Sequence, residues 1–454
     1  MPLCNKFYIV KLSACNALRR WLRHFHNKKD VTHAPPFHLI VIPAPAIQDP
    51  AAGSLAGLRV LDLSRVLAGP YCTQMLADHG AQVIKVEPPQ GDESRGFGPP
   101  FVNGAAAYFG ALNRNKRGLA LDLSRPEGRE VVLRLLEESD VLVENFLPGT
   151  MEKWGLGFEE VLAPRFPRLI YCRISGFGAD GPLGNLPGYD AVLQAMAGVM
   201  SINGIPEGGP TRVGMPIVDV VTGIHAAFGV MLAVNARHMT GRGQLVEACL
   251  YDTAISLLVP HAANWFASGN NPAQIGSAHP NLSPYDKFAT ARGEIFLGVV
   301  NDGQFQRFCI AMDKPQWAQD ERFRDNPGRL RHRAALKAEI EAVLRERDPE
   351  ELCKTLMAAG VPAGPVHTVA EAMNHPHTAH RAMRVRMGEG NEAADALGVP
   401  VKLSATPGGA RSAPPQYAQH TRELLREAGY KDKQIDKLIE QGAVRTERAG
   451  ARQP

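Results

Sequence analysis

From Leu58 onward, short runs of apolar residues alternate with longer stretches in which apolar residues recur every three or four positions. "LRVLDLS" reads as a buried strand, "YCTQMLADHG" as a helix stopped by Gly80, and "AQVIKVE" as a second strand, together a βαβ unit. The alternation continues with a helix after "SRPEGRE", a strand at "DVLVENF", a short helix near "TMEKWG" and a strand at "RLIYCRIS". Strands that are apolar without interruption have no polar face to give to water, so the pattern predicts an α/β fold with a parallel sheet covered on both sides.

Beyond Asp219 an apolar helix runs to "NARHMTGRG", where Arg237, His238 and Gly241 are stop signals, and "QLVEACLYD" returns as a strand. Between about Ala262 and Asn326 the texture changes to loops rich in Asn, Pro and Ser, then "EIFLGVVND", then a helix at "GQFQRFCIAM". Helix and strand reappear at "PEELCKTLMAAGVPAGPVHT". "SATPGGARSAPPQYAQHT" reads as an extended connector before two terminal helices. The expected division is an N-terminal extension at 1–52, a large domain over 53–245 and 331–445, a smaller α+β domain over 246–330, and a tail at 446–454.

Charge changes this picture at one end only. Seven Lys and Arg against two acids lie within the first 50 residues, leaving 43 basic and 44 acidic residues for the rest, so nothing points to a nucleic-acid partner. The first thirty residues hold no acid before Asp30, as in a mitochondrial transit peptide, although an upstream start outside the fold reads equally well. Seven cysteines without a C-x-x-C pair form neither a disulfide framework nor a zinc pattern. No run reaches the roughly 18 apolar residues of a membrane span. These features lead us to expect a cytoplasmic protein, or one of the mitochondrial matrix if the leader is genuine, with no membrane partner.

Chemistry is sparse on the surface of the sequence. Glu87 ends the second strand, where dinucleotide enzymes hold ribose, but the first turn is "SRVLAGP" instead of G-x-G-x-x-G, so Glu87 reads as a solvated strand end or a residue at a substrate mouth. "TGRGQ", Thr240 to Gln244, lacks the Lys-Ser/Thr ending of a phosphate loop and reads as a turn. No zinc-protease motif and no G-x-S-x-G elbow is present. Asp219 stands out as a lone acid between an apolar run and a helix. It is either an N-cap or a nucleophile, and the two are compatible, because a helix N-terminus favours the ionised carboxylate. A carboxylate attacks an activated acyl group without a general base.

The series "LDLSRVLAGPYCTQMLADHGAQVIKVE", "NRNKRGLALDL", "VENFLPGTMEKWG", "SGFGADGP", "GYDAVLQAMAG" and "HMTGRGQ" resembles the class III CoA-transferases, from about Leu55 to Val444. The resemblance implies a CoA thioester donor used as substrate, a free carboxylic acid acceptor, no permanently bound cofactor or metal, and a nucleophile at Asp219. It also implies a Rossmann-like large domain built from both chain ends, a smaller domain, and two chains threaded as an interlocked homodimer. The family's CoA contacts fall on Val66, Leu67, Ala68, Leu121, Asp122, Leu123, Asn145, Phe146, Lys153 and Tyr189, although Leu121 and Phe146 would equally suit a core.

The chain departs from formyl-CoA transferases at Leu67, at Pro88 and at "SAHPNLSPYD", and the last stretch is closer to succinyl-CoA-dependent members. Acyl-CoA racemases of the same family carry "GHD" where this chain has Gly188-Tyr189-Asp190. A tyrosine is a poorer neutral-pH base than histidine, which disfavours that alternative. A non-catalytic CoA-binding protein is the reading from another class, and Asp219 argues against it.

Overall fold

Val60 and Leu61 are neighbours in one strand and belong to different hydrophobic cores, because successive side chains of a strand leave opposite faces. The same alternation separates Val141 and Val143 from Leu142, and Ile170 and Cys172 from Tyr171. The structure is a computed structural model. It describes residues 53–388 and 393–446, which lie within one unit, Asp49–Pro454. The N-terminal extension and the tail beyond residue 446 fall outside the described residues.

The strands are β1 (Arg59–Asp62), β2 (Gln82–Glu87), β3 (Phe101–Val102), β4 (Ala105–Ala106), β5 (Lys116–Leu121), β6 (Val141–Glu144) and β7 (Ile170–Ser175). They continue with β8 (Leu245–Cys249), β9 (Tyr285–Ala289), β10 (Glu294–Gly298), β11 (Ala363–Pro365), β12 (Arg384–Met387), β13 (Ala394–Leu397) and β14 (Val444–Arg445). Seven form one sheet in the order β14-β5-β2-β1-β6-β7-β8. Every pairing in it is parallel except the last arrival, β14, which lies antiparallel to β5 with Val444 opposite Leu121. The fold is therefore mixed α/β around a sheet dominated by parallel strands, and its edge strand comes from the far end of the chain. β5 was not legible as a strand, because its charged start, Lys116-Arg117-Gly118, interrupts the apolar run.

Helices Ala68–Asp78 and Ile217–Thr240 cover one face of the sheet, and helices Pro126–Leu136 and Thr421–Glu427 the other. Ile217–Thr240 ends as the sequence predicts: Gly241 adopts φ +73° and donates its N–H to the Arg237 carbonyl. Contrary to expectation, this helix is long and apolar enough to cross a membrane. Its Val218, Thr222, Ala226, Val230 and Ala233 nevertheless face the core.

A third core lies around the antiparallel sheet β11-β10-β9. Phe288, Ile295 and Leu297 pack there against Phe305 and Phe308 of helix Asp302–Ala311, Leu336 and Ile340 of helix Arg333–Leu344, and Leu352 of helix Pro349–Ala358. This core draws on residues from both sides of the boundary expected at residue 330. Leu250 and Ala254, beyond the boundary expected at 246, belong to the large core. Similar apolar periodicity in the helices on either side of residue 330 hid which sheet each one covers.

Candidate active site

Asp62, Lys85, Glu87 and Lys116, polar residues of the central strands, are not solvated. Lys85 pairs with Asp92 at 2.7 Å and Lys116 with Asp62 at 3.1 Å, all four fully buried. Glu87 is 1% exposed, which corrects its reading as a solvated strand end. It accepts two bonds from Arg95, at 2.8 and 2.7 Å, and the Arg95 guanidinium lies 3.8 Å over the Phe109 ring and also donates to the Pro415 carbonyl of the C-terminal connector. Ions this deep persist only with partners of good geometry.

That layer supports the turn after β1. Val66 sits at φ +69°, an unusual conformation for a β-branched residue. Its N–H donates to the buried Asp92 at 3.3 Å. The preceding residue is fixed from the other side: Arg65 N–H donates to Asn145 Oδ1 at 2.8 Å, and Asn145 Nδ2 donates back to the Arg65 carbonyl at 2.7 Å. Phe146 lies 5.4 Å from the Arg65 guanidinium and meets Trp154 edge-on. Beneath it, Glu144 Oε2 accepts the Phe146 N–H at 2.8 Å, and burial pushes this carboxyl up to about 7.

The sheet order reverses between β1 and β6, and these two turns flank that point. In open α/β sheets ligands bind in the crevice at the carboxyl ends of the strands where the order reverses.

Asp219 reaches the same region because two helices approach closely. A Cβ on Gly223 would lie 2.7 Å from the Ala68 carbonyl and 3.2 Å from the Tyr71 ring, so glycine is what lets the helix carrying Asp219 press against the helix that starts at Ala68. Asp219 itself is not the cap. It lies in the first turn, after Ile217 and Val218, and the N-cap position is Pro216 with no side-chain cap bond. The capping oxygen comes from Asp190, whose Oδ2 accepts the N–H of Val218 at 2.8 Å and of Asp219 at 3.2 Å. Asp190 Oδ1 accepts from Gln194 at 2.6 Å, and Gln194 in turn accepts the Val213 N–H at 2.9 Å.

The charge state expected of Asp219 is also corrected. Burial, with the Asp190 carboxylate adding, pushes it up to about 7. Tyr108 belongs to the same group: burial and then the carboxylates of Asp219, Asp190 and Asp92 push its phenol up to about 12.

The structure therefore brings Val66, Leu67, Ala68, Asn145 and Phe146 to the carboxyl ends of β1 and β6, with the helix carrying Asp219 packed against Ala68 and with Lys153 exposed on the short helix Thr150–Lys153 that follows β6. Tyr189 is 65% exposed at the N-cap of helix Asp190–Met196. Leu121 and Leu123 stand apart: they are 0% and 8% exposed in the core on the other face of the sheet. Asp122 between them accepts bonds from its own neighbour Ser124. Asp190, Gln194 and Tyr108 were not singled out as site residues. "GYD" held the signal for Asp190, an acid opening a helix, while nothing in "AYFG" marks Tyr108. A cavity of about 490 Å³ at the amino ends of β1, β2 and β5 is lined by Arg59, Arg117 and Arg134, which are paired with acids, and lies at the opposite end of the sheet from these residues.

The model of CoA-transferase family III matches residues 55–421. The chain belongs to that family. It is 38% identical to a succinate–glutarate CoA-transferase of Agrobacterium fabrum, over 82% of this chain and 95% of the relative. It is 41% identical to a succinyl-CoA:mesaconate CoA-transferase of Haloarcula hispanica, over 83% and 97%. Among solved structures, a CAIB/BAIF family protein from Brucella suis superposes with a TM-score of 0.75 at 39% identity, covering 83% of this chain and 99% of that one. Family membership together with these relatives supports a CoA-transferase enzyme and makes CoA thioesters and carboxylic acids the compounds to consider at the crevice.

Proposed function

We propose that this family III member moves CoA from succinyl-CoA to a free dicarboxylic acid, with Asp219 as the nucleophile. The observation that carries the reading is a carboxylate in the first turn of a helix, close to the β1 turn at the point where the sheet order reverses. An Asp219 oxygen attacks the thioester carbonyl carbon, the C–S bond breaks, and CoA leaves as thiolate from an aspartyl mixed anhydride. The thiolate then attacks the Asp219 acyl carbon, releasing succinate and leaving an aspartyl-CoA thioester. The acceptor carboxylate attacks that thioester to form a second anhydride, and the thiolate attacks its acceptor carbonyl, which restores Asp219. Every step exchanges one activated acyl bond for another, so no co-reactant is consumed.

The relatives named for succinyl-CoA, glutarate and mesaconate support the choice of donor and acceptor class. Backbone N–H groups near the crevice are the natural stabilisers of the oxyanions. Incubating the protein with succinyl-CoA and a panel of free acids, with mass spectrometry for new CoA esters, tests the reading. Formation of no new ester from any dicarboxylate would overturn it.

A second copy of the chain is the proposed partner. Ile224, Phe228, Leu232 and Met239 recur at helical spacing along Ile217–Thr240 and are exposed, Phe228 at 62% and Met239 at 75%. A stripe of that kind marks an interaction face. It lies on the helix that carries Asp219, which suits a homodimer in which the second chain completes the site. A cytoplasmic location, or the mitochondrial matrix, is proposed on the cysteine usage and the basic leader alone.

A further inference from the structure

A second cavity, of about 410 Å³, lies between helix Val259–Ser268, the loop after it, and helices Asn326–Arg331 and Arg333–Leu344. None of its lining residues belongs to the turns after β1 and β6 or to the helix carrying Asp219. The polar part of its wall is His261, Asn264, Asn270, Asn271 and Arg333. The rest is proline, alanine, isoleucine and leucine, and no acid lines it.

Arg333 gives the cavity its charge. Its Nη2 donates to the His279 carbonyl at 2.6 Å and, more weakly, to that of Leu282 at 3.4 Å. Among the described residues it has no carboxylate partner. The acid that acts on it, Asp286, is already paired with Lys337 at 2.7 Å. His261 adds an Nδ1 that is buried with no hydrogen-bond partner. His279 lies within the field of both, since burial and then Arg333 and His261 hold its imidazole below the usual range. A half-buried guanidinium without a counter-ion, an unsatisfied ring nitrogen and the side-chain amides of Asn270 and Asn271 form a polar wall, whereas Arg59, Arg117 and Arg134 at the first cavity are each matched by an acid.

We propose that this cavity is a binding site for a small organic dicarboxylate. Arg333 would take one carboxylate as a guanidinium takes any planar oxyanion, through parallel N–H donors. The asparagine amides would take the other, and the apolar wall would cover the methylene chain between them. The volume is within the range of small-molecule sites. Its edge includes Pro280, part of the "SAHPNLSPYD" stretch at which the sequence departs from the formyl-CoA transferases. The site does not depend on the transfer chemistry, since binding is read without a CoA ester.

Isothermal titration of the full-length protein with glutarate, and with glutaramide as its uncharged counterpart, tests this. Saturable binding of glutarate but not of glutaramide is expected. Arg333→Gln and, separately, Asn271→Asp should each weaken it by about tenfold or more, the loss of one charge-assisted hydrogen bond or the gain of one repulsive charge. Asn271 is exposed and makes no hydrogen bond among the described residues, so the second variant decides the matter if the first fails to fold. Absence of saturable glutarate binding, or undiminished affinity in Asn271→Asp, overturns the proposal. Either result leaves the ester-forming assay for the Asp219 reading unaffected.

Discussion

Asp190 and Asp219, twenty-nine residues apart, share one helix N-terminus: an oxygen of the first accepts the backbone N–H of the second at 3.2 Å. The helix is thus capped by a carboxylate from another element, which leaves the Asp219 side chain out of the capping bonds but places it beside a like charge. The pair explains how one acid can be held in position and kept basic at once.

Replacing Asp190 by Asn should separate these effects. The amide oxygen can still accept the two N–H groups, but its NH₂ faces the Gln194 amide and costs roughly one hydrogen bond, about 1 kcal/mol. With the charge gone, Asp219 should ionise more readily, and the acid limb of kcat/KM, which reports groups of the free enzyme, should move below its wild-type position near pH 7. An unchanged limb would mean that burial alone sets the titration of Asp219.

Asp219→Asn should abolish transfer and yet stabilise the fold at alkaline pH. Because the folded-state pKa of about 7 lies above the ordinary 3.8, the stability this group contributes is complete below about pH 4 and is lost as the pH rises through 7. Asparagine does not ionise and escapes that loss. The variant should exceed the wild type at about pH 8 by up to about 4 kcal/mol and show no such advantage at about pH 4. Urea denaturation at the two pH values checks it, and a pH-independent difference would contradict the buried, protonated carboxyl.

Asn145→Ala removes both bonds that hold the backbone of Arg65. The turn carrying Val66 should then relax from its left-handed conformation, with a stability loss of about 1–3 kcal/mol. If this turn contacts the CoA ester in ground and transition states alike, KM should rise with kcat little changed. A fall in kcat alone would place Asn145 in the chemistry instead.

Phe228→Glu puts a charge in the middle of the exposed stripe. Light scattering coupled to size exclusion should show the variant as a smaller species than the wild type. A wild type that is itself monomeric, or a variant with unchanged mass, would count against a second copy on this face.

By itself the sequence determined the local elements and the chemistry of single positions. Apolar runs set β1, β2, β6, β7 and β8, periodicity set the helices that cover them, Gly241 set where one of them stops, and the ordered motifs pointed to the family and to Asp219. These are properties of neighbouring residues, and a short window of chain contains their causes.

Tertiary structure decided what depends on residues far apart. Whether Glu87 meets water or Arg95, whether Leu121 faces a ligand or a core, and which sheet the helices after residue 330 cover are set by partners the chain brings together only when folded. The capping of one helix by Asp190 and the titration of Asp219 follow the same rule, because desolvation and Coulomb forces act through space and are not written in spacing along the chain.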